Sequence, residues 1–206
     1  MDKVIKVFVE DNDYLIERMV RDEFGWQVQD AFDPDNIDVL VFSGGADVSP
    51  HLYLEHNVDS WCDLERDLAC LSMFTKFKGP KIGICRGGQF LNVASGGRMW
   101  QDVDNHGSSH MVRDLETSKE YFCTSTHHQM MRPGPNAQVV AIAAPGRSTY
   151  RVAANEVEKF PAQDIEVLFY ESTNSLCFQP HPEYEEHPEC ILYFGELVQR
   201  FFPDLM

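Results

Sequence analysis

Residues 83–89 read Gly-Ile-Cys-Arg-Gly-Gly-Gln, and no other stretch restricts the fold of this chain as strongly. The apolar run Lys81-Ile-Gly-Ile84 leads into Cys85, and an apolar helical pattern follows it. A strand, a sharp turn and a helix with the reactive side chain at the bend form a nucleophile elbow; Gly-x-Ser-x-Gly is its serine version. So tight a turn leaves no room for side chains beside the nucleophile, and Gly83 and Gly87 meet that need. The sulfur then lies at a helix N-terminus, where the dipole and free N–H groups favour a thiolate. The segment predicts covalent catalysis by Cys85.

The first half of the chain alternates strand and helix around this elbow. Lys3–Glu10 reads as a strand, and Asp11–Phe24 as a helix stopped by Gly25. Asp38–Phe42 is a nearly continuous apolar run that suits a strand buried on both faces, and it ends in Ser43-Gly44-Gly45. Asp63 can cap a helix to about Lys76, with Leu64, Leu68, Leu71 and Phe74 on one face and Cys70 beside that stripe. Arg86–Ser95 is the helix after the elbow, closed by Gly96-Gly97. The second half carries short strand-like pieces at Met111–Asp114, Tyr121–Thr124, Ala137–Ala143 and Ser148–Val152. Ile165–Tyr170 and Ser175–Gln179 read as a hairpin across Glu171–Asn174. Pro188 opens a last helix with Ile191, Phe194, Leu197, Val198 and Phe201 on its apolar face. We expect one α/β domain over residues 1–206: an open, mostly parallel sheet flanked by helices, with a short antiparallel β region in the second half.

A net charge of −16 repels phosphate backbones, which excludes nucleic acid as a partner. No apolar run reaches bilayer-spanning length, and the N-terminus has no apolar h-region, so neither a membrane nor export is expected. The six cysteines sit mostly in apolar runs of a chain too large to be a small disulfide scaffold. Buried free thiols in a reducing cytoplasm are expected, with Cys85 the one reactive site.

Cysteine chemistry needs a base, and the base needs an orienter. Gln179-Pro-His181-Pro-Glu183 offers both. Pro182 keeps His181 extended, and in extended chain residues i and i+2 point to one side. Gly44-Gly45, at another strand end, lets the backbone approach a developing oxyanion. His106 and His110 have helical metal-pair spacing, but Gly107, Ser108 and Ser109 make a poor helix, and no Glu or Cys follows at zinc spacing. No metal or other cofactor is expected. His127 and His128 are adjacent, so in extended chain their rings point opposite ways. His51, His56 and His187 read as solvated loop residues.

The order Gly-Gly, Cys elbow, His-Pro-Glu resembles the class I glutamine amidotransferase superfamily over nearly the whole chain. Arg86 after the cysteine, Ser43-Gly-Gly-Ala-Asp47-Val-Ser-Pro50, Glu65-Arg66-Asp67 and Ser125-Thr-His127-His128-Gln129 resemble its γ-glutamyl hydrolase (peptidase C26) branch. The resemblance implies a flavodoxin-like sheet. It implies Cys85 as nucleophile, His181 as general base and Glu183 as its orienter. The backbone N–H groups of Gly45 and Arg86 would form the oxyanion hole. Gly44, Gln89, Ser125, His127, His128 and Gln129 would lie near the γ-glutamyl group, with His127 favoured over His128 to face the pocket. The loop after Trp100 is short for this branch, which changes the pocket wall and leaves the leaving amine open.

The expected partner is a small γ-glutamyl substrate or glutamine. The expected reaction is hydrolysis of a γ-glutamyl amide through a Cys thioester. The alternative is a glutaminase subunit that passes ammonia to a separate synthetase or ligase. A binding module that kept the fold would ordinarily lose Cys85 or His181, and a redox protein would not need His181. A homodimer is the default for such domains.

Overall fold

The computed structural model describes residues 3–206; Met1 and Asp2, where the N-terminal segment begins, lie outside the described residues. The elements of the first half run β1 (Lys6–Val9), α1 (Tyr14–Phe24), β2 (Gln27–Val28), β3 (Val39–Phe42), α2 (Leu64–Lys76), β4 (Lys81–Ile84) and α3 (Arg86–Ala94). Strands then dominate: β5 (Arg98–Trp100), β6 (Asp102–Val103), β7 (His110–Asp114), β8 (Glu120–Cys123) and β9 (Met130–Arg132). They continue as β10 (Gln138–Ala143), β11 (Tyr150–Ala153), β12 (Glu156–Lys159), β13 (Ile165–Tyr170) and β14 (Ser175–Phe178) before α4 (Pro188–Phe201).

Nine strands form one sheet in the order β2-β1-β3-β4-β14-β13-β10-β7-β8. The run from β2 to β14 is parallel. The run from β14 to β8 is antiparallel. The expected α/β architecture is present, and the antiparallel region prolongs the same sheet. Strands β12-β11-β6 and β5-β9 form two small additional sheets.

Alternate residues of the central strands feed two cores, as a pleated period of two requires. Val7, Val9, Val39, Val41, Leu176 and Phe178 pack under α1 and α4. Phe8, Leu40, Phe42 and Cys177 pack under α2 and α3. Asp13 caps α1 by accepting from the N–H groups of Leu15 and Ile16, so that helix starts later than its apolar spacing suggests. Gly25 closes it in the left-handed region at φ 67°.

Helix α2 begins and ends where expected but turns a different face inward. Leu64 and Leu68 are exposed, while Asp67 and Cys70 are fully buried. The reason is electrostatic: Asp67 forms a buried ion pair with Arg86, whose Nη1 also reaches Cys70 Sγ at 3.4 Å. All six cysteines are free, and every one except Cys62 is buried.

Candidate active site

Strands β3, β4 and β14 are parallel neighbours, so their carboxyl ends share one edge of the sheet. Gly44-Gly45 follows β3, Cys85 follows β4, and Gln179-Pro-His181 follows β14. Ligand sites in open α/β sheets gather at this edge. Three segments far apart in sequence are thereby brought to one cleft of about 250 Å³, lined among others by Gly45, Cys85, Arg86, Gln89 and His181. A larger groove of about 470 Å³ lies over α1 and α4, but no Cys or His lines it.

Cys85 sits at φ 51°, ψ −112°, a strained conformation for a side-chain-bearing residue. The turn is that tight because the elbow packs backbone on backbone. A methyl group on Gly87 would collide with the Phe42 carbonyl of β3, and one on Gly83 with Gly87 itself.

His181 is extended at φ −109°, ψ 90°, as Pro182 dictates. Its Nδ1 donates to Glu183 Oε1 at 2.6 Å, and both side chains are nearly fully buried. Its ring stacks on Tyr184 with centroids 4.4 Å apart. Its Nε2 has no hydrogen-bond partner, and its Cε1 side faces Gly44 beside Cys85. Burial alone would push the imidazole down; the Cys85 sulfur and the Glu183 carboxylate override this and raise it to about 11.

Two ion pairs, one partly and one fully buried, brace the edge. Arg66 forks onto Glu10 through Nε (2.8 Å) and Nη2 (2.7 Å), and Nη2 also reaches Ser43 Oγ and the Gly44 carbonyl. This clamp holds the segment that presents Gly45, whose φ of 130° suits only glycine. Asp67 anchors the Arg86 side chain and accepts from Ser49 N–H at 2.7 Å. The Arg86 side chain thus points away from the cleft, while its backbone N–H stays at the open first turn of α3.

The remaining expected residues divide. Gln89 donates to Gln179 Oε1 at 3.2 Å and to the Gln129 carbonyl at 3.3 Å. Gln179 donates in turn toward Cys85 Sγ at 3.7 Å. Gln129 lines the cleft and donates to Ser60 Oγ and the Gln101 carbonyl. The two adjacent histidines do point opposite ways. His128 is exposed at the mouth, with Nε2 3.2 Å from Asp47 Oδ2. His127 reaches the cleft wall, but its Nε2 faces inward toward Glu166. Ser125 does not line the cleft: its hydroxyl donates to the His106 carbonyl at 2.6 Å, and Thr126 lines the wall instead.

The sequence places Gln179, Tyr184 and Asp47 within or beside the quoted motifs but assigns them no role, and it does not point to Glu10. Gln179 and Tyr184 flank the His-Pro-Glu segment, and that proximity is the one signal that could have found them.

The Peptidase C26 family profile matches residues 30–134, just over half of the chain. Protein NtpR of Enterococcus hirae is 36% identical over 95 residues, 44% of this chain and 40% of that protein. The glutamine amidotransferase-like protein YvdE of Lactococcus lactis subsp. lactis is 39% identical over 97 residues, 45% of this chain and 40% of that protein. The carbamoyl phosphate synthase small chain of Pasteurella multocida is 28% identical over 165 residues, 79% of this chain and 35% of that protein. The chain thus spans less than half the length of these relatives. Among solved structures, a protein described as a GMP synthase subunit from Thermoplasma acidophilum superposes with a TM-score of 0.69 at 18% identity, covering 100% of this chain and 96% of that one. A glutamine amidotransferase from Thermotoga maritima superposes at 0.57 and 12% identity, covering 96% and 85%. At such identities the likeness is one of fold. With a profile match over more than half of its length, the chain belongs to the Peptidase C26 family.

Proposed function

We propose that the protein hydrolyses a γ-glutamyl amide through a thioester on Cys85. The observation that carries this is the Glu183-oriented His181 beside Cys85 at the ends of adjacent parallel strands. Cys85 Sγ attacks the γ-carbonyl carbon, and the carbonyl electrons move to oxygen. The N–H groups of Gly45 and Arg86 receive that oxyanion. The tetrahedral centre collapses, the C–N bond breaks, and the proton on His181 Nε2 passes to the departing amine. Water then attacks the thioester with His181 as base, releasing glutamate and restoring the thiol. Gln89, Gln129 and the His127-His128 segment line the cleft where the glutamyl group would sit. The free, buried thiols fit a cytoplasmic setting, and among the described residues no helix is long and apolar enough to cross a membrane.

A second reading is a glutaminase subunit serving a separate synthetase or ligase. The 79% of the chain that aligns with a carbamoyl phosphate synthase small chain supports it. Turnover of glutamine and of γ-glutamyl-amines by the isolated chain separates the two. Full activity on a γ-glutamyl-amine supports hydrolysis; glutamine turnover that rises only with an added synthetase supports the second reading. No turnover of any γ-glutamyl amide, alone or with partners, rejects both.

A further inference from the structure

Behind the cleft wall lies a second cluster that the proposed reaction does not use. His106, His110, His127, Asp164 and Glu166 converge there, all between 0% and 5% exposed. They come from separate segments: the turn before β7, β7 itself, the loop before β9, and β13 with the residue preceding it. The helical His106–His110 pair weighed in the sequence is not the grouping that forms. His106 instead meets His127 and Glu166, with one ligand-capable atom of each within 4.8 Å of the others.

Three polar atoms at the centre of this cluster face one another without a hydrogen bond. His106 Nδ1 lies 3.3 Å from Glu166 Oε1, and His127 Nε2 lies 3.6 Å from Glu166 Oε2. Neither nitrogen has a hydrogen-bond partner, and neither does Glu166 Oε2. Charge-assisted hydrogen bonds run shorter, at about 2.7–2.9 Å. Each nitrogen therefore faces a carboxylate oxygen across a gap that no hydrogen bond fills.

The outer contacts point the same way. His127 Nδ1 donates to the Gln129 carbonyl at 2.8 Å, which leaves a lone pair on Nε2 aimed at a buried carboxylate. Two electron-rich atoms face each other there, and a cation between them resolves the conflict. His106 Nε2 faces Asp164 Oδ2 at 3.4 Å, so a carboxylate lies on the side of the ring away from Glu166. Asp164 is itself held by the N–H groups of Arg147 (2.5 Å) and Ser148 (2.9 Å). His110 bridges the Ser108 carbonyl and Glu166 Oε1, each at 3.0 Å.

We propose that His106 Nδ1, His127 Nε2 and the Glu166 carboxylate bind a structural divalent cation of the zinc class. Two imidazoles and one carboxylate supply three of the four ligands a tetrahedral zinc takes, and all three residues are at most 5% exposed. The ion ties the 125–129 segment of the cleft wall to β13, next to the strand that carries His181. The Gln179 N–H donates to the Glu166 carbonyl, and the His181 N–H to the Thr124 carbonyl, so the metal braces the frame of the base without joining the chemistry. The ion takes no part in the bond making and breaking proposed above, although its ligand His127 belongs to the segment that lines the cleft.

Elemental analysis of the full chain, made without a metal-affinity tag, in zinc-supplemented medium and then dialysed, tests it. The expected result is about one zinc per chain, retained through dialysis and lost in Glu166→Gln. A second cluster, Asp59, Asp102 and His128 at the surface, serves as control: Asp59→Asn with Asp102→Asn should keep the metal. Should Glu166→Gln fail to fold, wild-type protein unfolded, stripped and refolded with Co²⁺ should show the visible absorption of a tetrahedral site. Metal-free wild type that refolds to the same stability without Co²⁺ absorption overturns the proposal. So does metal that follows Asp59 and Asp102 rather than Glu166.

Discussion

His181 Nδ1 and Glu183 Oε1 stand 2.6 Å apart with a single proline between the two residues in sequence. The hydrogen bond fixes which imidazole nitrogen is turned toward Cys85. In the proposed reaction Glu183 acts through His181 rather than on substrate. Replacing Glu183 with Gln keeps the shape and removes the charge. We expect kcat on a γ-glutamyl anilide to fall roughly 10²-fold or more, with KM nearly unchanged. Steady-state kinetics check this, and a change confined to KM would contradict the orienting role.

The Asp67–Arg86 pair is fully buried, so removing one partner strands a charge in the core. Asp67→Ala should lower stability by about 3–5 kcal/mol in urea titrations. The double variant Asp67→Leu with Arg86→Met should recover most of that loss, because it leaves no charge unpaired. It also keeps the backbone N–H of residue 86 that the proposed oxyanion hole needs.

Arg66 joins Glu10, Ser43 and the Gly44 carbonyl through one planar fork. Lysine has the charge but not the fork. Arg66→Lys should therefore reduce kcat roughly tenfold through a misplaced Gly45 while the protein stays folded. Circular dichroism and kinetics on the same preparation separate the two effects.

How much of this was legible in the chain follows from distance along it. The elbow at Cys85 and the His181–Glu183 pair are local, and local spacing was enough to find them. The clamp was not, because Glu10 and Arg66 are 56 residues apart and meet only once β1, β3 and α2 are packed. The stripe on α2 misled for a related reason. Periodicity identified Leu64 and Leu68 as a face, but the buried face carries Asp67, whose partner Arg86 lies on another helix. The buried histidine cluster was likewise invisible: Glu166 reads as one polar residue in an apolar strand until the sheet brings His106 and His127 over it. Strand β6 has only two residues, and β12 reads Glu-Val-Glu-Lys, so neither carries an apolar alternation to register.

The raised His181 imidazole links stability to pH. Its folded value of about 11 lies above the ordinary histidine value, so its ion pairing stabilises fully below about pH 6.5. That contribution is lost progressively as pH rises toward 11. The stability difference between wild type and His181→Gln should therefore be largest near neutral or lower pH and shrink in alkaline buffer. Urea midpoints across the range measure it; a difference that grows with pH would reverse the assignment.

The most direct measurement is mass spectrometry of the peptide containing Cys85, acid-quenched during turnover of a γ-glutamyl amide. The account predicts a γ-glutamyl adduct on Cys85 that disappears after substrate is exhausted and accumulates in Glu183→Gln no faster than in wild type. Sustained turnover with Cys85 unmodified, or turnover retained in Cys85→Ala, would contradict it.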